Sequence, residues 1–167
     1  RMDCSKLAVD KLQRFWRLSA AERRLLLRAM VLLPLTGVAL RLVGFRCWQA
    51  ALARLAPAGT RLSDDPSQDS LERACVTARM VQAAERHGLG RPNCLRQSIV
   101  LWCLLRRQGV AAELRVGGRK QDGRFEAHAW VEHRGVALND REELRQHYAP
   151  FQGSLAAASR RVRTEPQ

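Results

Sequence analysis

Apolar residues recur every three or four positions along the first third of the chain, which is the spacing of helices that pack through one face. Ser19 and Glu22 stand three residues apart ahead of the second apolar run and predict a capping box at a helix start. Pro34 and Gly37 are expected to break or kink that helix. The predicted helices of this part span residues 5–17, about 20–33 and about 38–55.

The pattern changes after residues 56–69, whose Pro, Gly, Ser and Asp content predicts a linker. Helical spacing resumes first, with Gly88 and Gly109 as stop signals, and strand-like alternation follows. The predicted elements are helices over residues 70–86 and 94–108 and strands over residues 110–116, 125–133 and 136–139, with a turn at residues 118–123. Helices followed by an antiparallel meander predict the α+β class.

The length of 167 residues fits one domain with a sizeable core, and a hydrophobic content of 46% excludes global disorder. We divide the chain into an N-terminal helical segment over residues 1–60, a core over residues 61–152 and a tail over residues 153–167. The tail is rich in Ala, Ser and Arg and is expected to be disordered.

The longest apolar stretch, residues 29–40, is interrupted by Pro34 and ends at Arg41, so we expect no transmembrane segment, which needs about 20 apolar residues. The charged and polar N-terminus has no apolar signal-peptide region. The five cysteines, at positions 4, 47, 75, 94 and 103, show no pairing pattern and fit a reduced setting. We therefore expect a cytoplasmic protein.

The formal net charge is +13, and residues 1–60 hold 11 Lys and Arg against 3 Asp and Glu. Such a basic excess favours docking of an acidic peptide, an acidic protein or an anionic membrane, although a solvated helical face without a partner has the same composition. Membrane contact is an open alternative rather than our expectation. No zinc-finger spacing, RNP motif or basic–aromatic stripe is present, so we expect no nucleic-acid partner.

Cys94 begins the predicted helix over residues 94–108, directly after Asn93, which is a preferred N-cap residue. Free N–H groups and the positive end of the helix dipole lower the pKa of a thiol at this position. His128 follows on a predicted strand, and Asp140 comes after it. A thiol at a helix start, an imidazole on a strand and a downstream carboxylate form the parts of a nucleophilic Cys–His–Asp site.

The neighbouring candidates are sorted by geometry. Cys103 lies nine positions after Cys94, half a turn away around the helix, and is expected to be a small buried apolar residue. If His128 faces the Cys94 helix, strand alternation turns His133 away from it.

Other side chains are assigned by chemistry. Asn139 is an alternative to Asp140 for orienting the imidazole, but a carboxylate also stabilises the imidazolium, so we favour Asp140. The Cys94 N–H is the first candidate for an oxyanion donor, and Gln97 is a second. Trp130 is expected to serve first in packing and second as a substrate wall.

Six segments together resemble the lasso peptide biosynthesis B2 proteins, which are leader peptidases of the transglutaminase-like, papain-related superfamily. The similar segments are residues 15–27, Leu40-Arg41-Leu42, Asn93-Cys94-Leu95-Arg96-Gln97-Ser98, residues 104–110, Ala127-His128-Ala129-Trp130-Val131-Glu132 and Leu138-Asn139-Asp140.

The resemblance implies a transglutaminase-like core in which the Cys94 helix packs on an antiparallel sheet. It also implies Cys94 as nucleophile, His128 as general base and acid, and Asp140 as the orienting residue, with no cofactor. The implied substrate is a lasso precursor peptide, cut between leader and core.

The implied partners follow from the same resemblance. An ATP-dependent lasso cyclase would use the released amine. Residues 1–60 are predicted to be helical and lack the strands of a winged-helix leader-recognition domain, so the chain is similar to the split systems in which a separate protein delivers the leader.

Three alternatives to a peptidase are kept. A transglutaminase-like acyltransferase would use the same three residues with an amine in place of water. A chaperone of the precursor would use only the basic N-terminal face. A zinc site with Cys94, His128 and Asp140 as ligands lacks the usual paired spacings, so we expect no metal.

Overall fold

The computed structural model describes residues 16–55, 68–88, 92–121, 124–140 and 149–150. The elements in these residues are helices α1 (Ala20–Leu42), α2 (Gly44–Leu55), α3 (Gln68–His87) and α4 (Cys94–Arg107), and strands β1 (Glu113–Gln121), β2 (Arg124–His133), β3 (Val136–Ala137) and β4 (Ala149–Pro150). The helices come first and the strands form one antiparallel sheet, so the predicted α+β class is confirmed.

Helix α1 begins at the predicted capping box. The Ser19 hydroxyl accepts a hydrogen bond from the Glu22 N–H, and the Glu22 carboxylate accepts one from the Ser19 N–H. The predicted break at Pro34 is wrong, because α1 continues through it to Leu42. Proline removes one N–H from the helix ladder, but Leu33 and Ala39 on either side are buried, and this packing holds the helix together.

Helix α1 ends nine residues later than predicted, at a feature that the sequence analysis missed. Gly44, the first residue of α2, has φ +78°, a left-handed conformation that favours glycine, and only Val43 lies between α1 and α2. The two helices remain connected through side chains, since the Trp48 indole N–H donates to the Thr36 hydroxyl at 3.2 Å.

Uninterrupted, α1 is long and apolar enough to cross a membrane by length and composition. Length and composition alone do not make a helix a membrane span, so the expectation of no transmembrane segment stays a prediction. Core helices and signal sequences pass the same test, but a core helix is mostly buried, whereas only 17% of the relevant 18-residue stretch of α1 is buried.

The core lies among α1, α3 and α4, and α4 also packs on the sheet. Helix α4 is the most buried of the four, with an unbroken run of buried residues from Ser98 to Leu105. It packs against Ala74, Ala78 and Val81 of α3 and against Leu114 and Val131 of the sheet. Cys103 is buried in this cluster, as predicted.

The sheet has the strand order β3-β2-β1-β4. The predicted turn at residues 118–123 begins too early, because β1 continues through Gly117 and Gly118 to Gln121. These two glycines pair with His128 and Ala127 of β2 on one side and with β4 on the other. Both glycines are buried.

Some predictions fall outside the described residues: most of the first helix (residues 1–15), most of the linker (residues 56–67) and the tail (residues 153–167). The division into three segments stays a prediction. Within the described residues, α1 shares its hydrophobic core with α3 and α4.

Candidate active site

Cys94 is the first residue of α4, and Asn93 is its N-cap with an extended backbone. The Asn93 side chain accepts a hydrogen bond from the Arg96 N–H at 3.0 Å, and the Asn93 carbonyl accepts the Gln97 N–H. The thiol therefore stands in the first turn, where the unpaired N–H groups of a helix favour negative charge.

His128 connects the thiol to a carboxylate. Its Nε2 lies 2.8 Å from Oδ2 of Asp140, and its ring hydrogen-bonds to the Cys94 side chain. Since Nε2 is engaged by Asp140, Nδ1 is the ring nitrogen left for the thiol. The three side chains that the sequence singled out thus form one continuous chain of contacts.

The pKa shifts of the Cys94 thiol and the His128 ring favour the same charge state. The hydrogen bond to His128 lowers the pKa of Cys94 most; burial opposes this, and backbone hydrogen bonds at Ala129 and Leu95 add to the lowering. The pKa of His128 is raised, first by its hydrogen bond to Cys94 and then by the Asp140 charge, again against burial. Both shifts favour a thiolate–imidazolium pair.

Asp140, rather than Asn139, contacts the imidazole. Asn139 is engaged elsewhere: its side-chain oxygen accepts the Val131 N–H at 2.8 Å, and its amide donates to the Ser98 hydroxyl at 2.8 Å. Ser98 in turn donates to the Ala129 carbonyl at 2.9 Å. Asn139 and Ser98 thus join the loop that carries Asp140 to β2 and α4.

Glu85 and Arg96 hold the start of α4, and the sequence analysis missed this pair. Oε1 of Glu85 accepts the Asn93 N–H at 3.1 Å and lies 2.5 Å from the Arg96 guanidinium. The two side chains are only 7% and 14% exposed. Glu85 lies on α3, so spacing along the chain gives no signal that these residues meet.

The two secondary candidates lie near the triad in different ways. Trp130 is buried, its ring stacks 6.1 Å from that of His128, and its N–H donates to Glu132. Gln97 borders a cavity of about 460 Å³ that also reaches Asn139 and Asp140. The substrate-wall role of Trp130 and the oxyanion role of Gln97 stay predictions.

His133 is not turned away from the helices. It is fully buried, its Nδ1 contacts the Ala111 carbonyl, and its Nε2 lies 3.3 Å from the Ser70 hydroxyl of α3. It shares its strand face with Val131, which packs into the core. His133 therefore has the opposite strand parity to His128, and its helix partner is Ser70 of α3 rather than a residue of the Cys94 helix.

Within the described residues, no group of three or more His, Cys, Asp or Glu side chains could hold a metal ion. The four cysteines among those residues are free, with Cys47 and Cys75 exposed, Cys94 half-buried and Cys103 buried. Burial raises the pKa of the Cys103 thiol, in contrast to that of Cys94.

Comparison with known families identifies the superfamily of this chain. The family model of the transglutaminase-like superfamily matches residues 38–153. The chain therefore belongs to the transglutaminase-like superfamily, which includes cysteine peptidases and acyltransferases and whose members typically have cysteine-dependent activity. No curated protein and no solved structure gives a significant match to the chain.

Proposed function

We propose that this protein is a cysteine peptidase that removes the leader peptide from a lasso peptide precursor. Cys94 acts as nucleophile, His128 as general base and acid, and Asp140 as the residue that orients the ring. The superfamily membership and the resemblance of the segments around Cys94, His128 and Asp140 to the lasso peptide B2 proteins support this choice.

One observation carries the proposal: the Cys94 thiol, the His128 ring and the Asp140 carboxylate are hydrogen-bonded in series. A structural cysteine needs neither an imidazole partner nor a lowered pKa. A nucleophile needs both, because the thiolate is the reactive form and the ring must later deliver a proton.

In the first half of the reaction, the Cys94 thiolate attacks the carbonyl carbon at the leader–core junction. The carbonyl π electrons move to oxygen and give a tetrahedral oxyanion. When this intermediate collapses, the C–N bond breaks and His128 gives its proton to the departing amine. The products are a thioester on Cys94 and a core peptide with a free N-terminus.

The helix start supplies the oxyanion donor. Among the first N–H groups of α4, those of Arg96 and Gln97 are bonded to Asn93, and that of Leu95 stabilises the thiolate. The Cys94 N–H has no partner within the helix, as in any first turn, and is the donor that remains. Gln97 is the second donor.

In the second half, water is deprotonated by neutral His128 and attacks the thioester, which releases the leader and restores the thiol. Asp140 holds the ring through Nε2 in both halves, so Nδ1 faces the reacting atoms throughout. Every proton moves through the imidazole, and no cofactor is needed.

The substrate class and partners belong to the same proposal. The precursor reaches this cytoplasmic enzyme on a separate leader-recognition protein, and an ATP-dependent cyclase joins the freed amine to a side-chain carboxylate. The basic N-terminal third, with 11 Lys and Arg against 3 Asp and Glu, supports an anionic docking partner. No nucleic acid takes part.

Mass spectrometry tests the activity. A candidate precursor is incubated with the chain, with and without a leader-recognition protein, and cleavage at the leader–core junction is expected. Cys94→Ala should abolish cleavage and retain the circular dichroism spectrum, whereas Cys103→Ala should remain active. Full activity of Cys94→Ala would reject nucleophilic catalysis by this residue.

An added primary amine separates the two activities of the superfamily. A peptidase releases the leader with a free carboxylate, while an acyltransferase yields a leader whose mass is increased by the amine less one water. Predominance of the amide product would replace the peptidase assignment. Binding of the precursor without either product, in wild type and Cys94→Ala alike, would favour the chaperone.

A further inference from the structure

The middle of α1 is apolar on both faces, although only one face packs on the other described elements. Ala29, Leu33, Thr36 and Ala39 form its buried face. On the opposite side, five large apolar residues are between 48% and 78% exposed: Leu27, Val31, Leu35, Val38 and Leu42. Their spacing places them on one stripe of the helix. A contiguous exposed apolar stripe of this kind marks an interaction surface.

A groove beside α4 widens this surface. It has a volume of about 380 Å³ and is lined by Leu27, Val31 and Leu32 of α1 and by Leu104 of α4. Arg28 and Arg107 border it. The apolar stripe and this groove together form what we call the α1 face.

Arginines stand at the ends of the α1 face. Arg24 and Arg28 lie at its N-terminal end and Arg41 at its C-terminal end, and all three are exposed. No charged residue lies between Arg28 and Arg41. The one acidic residue of α1, Glu22, is engaged in the capping box with Ser19. The α1 face is therefore an apolar strip with cationic ends.

We propose that the α1 face docks on an anionic lipid bilayer, with α1 lying in the plane of the headgroups. Apolar side chains reach the acyl boundary, while arginines extend their charged ends to lipid phosphates, as in interfacial amphipathic helices. Each basic residue near an anionic surface adds attraction. This inference is independent of the reaction that Cys94 performs.

A surface position fits the structure better than a span. Ala29 and Thr36 of the buried face are fully buried, and Thr36 accepts the Trp48 indole N–H. A spanning α1 would have to leave α3 and α4 and lose these contacts. A helix that lies on the bilayer keeps them and covers only the exposed stripe.

Charge distinguishes a lipid surface from a second copy of the chain. Two α1 faces packed antiparallel would set Arg24 and Arg28 of one copy against Arg41 of the other. Each copy also carries a net charge of +13, so self-association is opposed by repulsion. An anionic bilayer meets the arginines with opposite charge.

The groove of the α1 face lies away from the thiol. Arg107 at the groove and Cys94 are 13 residues apart at opposite ends of α4. At 1.5 Å per residue they are about 20 Å apart along the helix.

The test is co-sedimentation of the full chain with vesicles of phosphatidylcholine alone or with one quarter phosphatidylglycerol. We expect binding to the anionic vesicles that weakens at high salt, since screening reduces the arginine contribution. Val31→Glu combined with Val38→Glu should reduce binding at least about tenfold. Arg24→Gln combined with Arg28→Gln should reduce binding to anionic vesicles and weaken its salt dependence, to which Arg41 still contributes.

Phe125→Glu combined with Val136→Glu is the matched control. Both residues are exposed and apolar but lie on the sheet, and the change in charge is the same. This variant should bind like wild type. Circular dichroism spectra of all variants should be unchanged, because the substituted side chains are exposed.

Several outcomes would overturn the proposal. One is no binding to anionic vesicles, and another is binding that the Val31/Val38 variant leaves intact. Protein that only detergent, and not salt, extracts from vesicles would indicate a span. A concentration-dependent dimer that the same variant abolishes would assign the α1 face to a second copy. If the chain binds no vesicles but binds an acidic protein, and the Val31/Val38 variant loses that binding, the α1 face would be assigned to the acidic protein.

Discussion

Removal of the Glu85 side chain should both destabilise the protein and disorder the start of α4. Glu85→Ala takes away an ion-pair partner of the Arg96 guanidinium and the acceptor of the Asn93 N–H. Both members of the ion pair are largely buried, at 7% and 14% exposure, so little solvent replaces the lost contacts. Removing one partner of a buried ion pair costs roughly 3–5 kcal/mol.

This magnitude is measurable by thermal unfolding. For a chain of this size, 1 kcal/mol corresponds to a change in Tm of about 2–4 °C, so Glu85→Ala should lower Tm by roughly 6–20 °C. Glu85→Gln keeps an acceptor for the Asn93 N–H but loses the charge, and should cost about 1–2 kcal/mol. Glu72→Ala is the control, because Glu72 is exposed on the same helix.

A double-mutant cycle isolates the pair. Glu85→Gln with Arg96→Met removes both charges, and this combination should be less destabilising than the sum of the single changes. At a temperature where Glu85→Ala remains folded, its kcat/KM should fall, since displacement of Cys94 by about 1 Å can cost roughly 10²-fold. A loss of stability below about 1 kcal/mol in Glu85→Ala, equal to that of Glu72→Ala, would refute the idea that this pair holds the helix start.

Three further predictions concern the triad and its loop. Activity should follow a bell-shaped pH profile. It rises with pH as Cys94 ionises, at a lowered pKa, and it falls as His128 loses its proton, at a raised pKa. A profile without a descending limb would contradict the ion pair. Asp140→Asn should lower kcat roughly 10²- to 10⁴-fold. It should also move the descending limb to lower pH, because the Asp140 charge helps to raise the pKa of His128. The control Asp69→Asn, at an exposed residue, should change neither kcat nor the pH profile. Asn139→Ala leaves the Val131 N–H without its acceptor and should lower the free energy of unfolding by about 1–3 kcal/mol in chemical denaturation; an unchanged midpoint would exclude the structural role.

Capping residues in the sequence correctly predicted where α1 and α4 begin. The capping box at Ser19 and the N-cap Asn93 set the first turns of α1 and α4 through side-chain bonds to residues three positions away. The break predicted at Pro34 is absent because a missing N–H is a local cost, whereas the packing of Leu33 in the shared core is not visible along the chain. The break at Gly44 was missed, since nothing beside it indicated a left-handed residue.

Some residues of the candidate site were also predicted from the sequence, and others were not. Cys94, His128 and Asp140 were found because each residue type is tied to a chemical role and to a predicted element. Both Asn139 and Asp140 suit an imidazole, and only the structure shows that Asp140 is the one that contacts the ring. Glu85 could not have been found, because its partners lie 8 and 11 residues away on another helix and a buried ion pair leaves no periodic pattern.

The residues that position the triad explain why its geometry does not depend on flexible loops. Glu85 fixes the start of α4, and with it the thiol. Ser98 and Asn139 tie the Asp140 loop to the carbonyl of Ala129 and the N–H of Val131, so the carboxylate and the ring are set by the same strand. Each of these bonds joins different elements of the core. Loss of any one of these hydrogen bonds should therefore misalign the thiol, the ring or the carboxylate before the protein unfolds. In a denaturant titration, activity should be lost at a lower denaturant concentration than secondary structure.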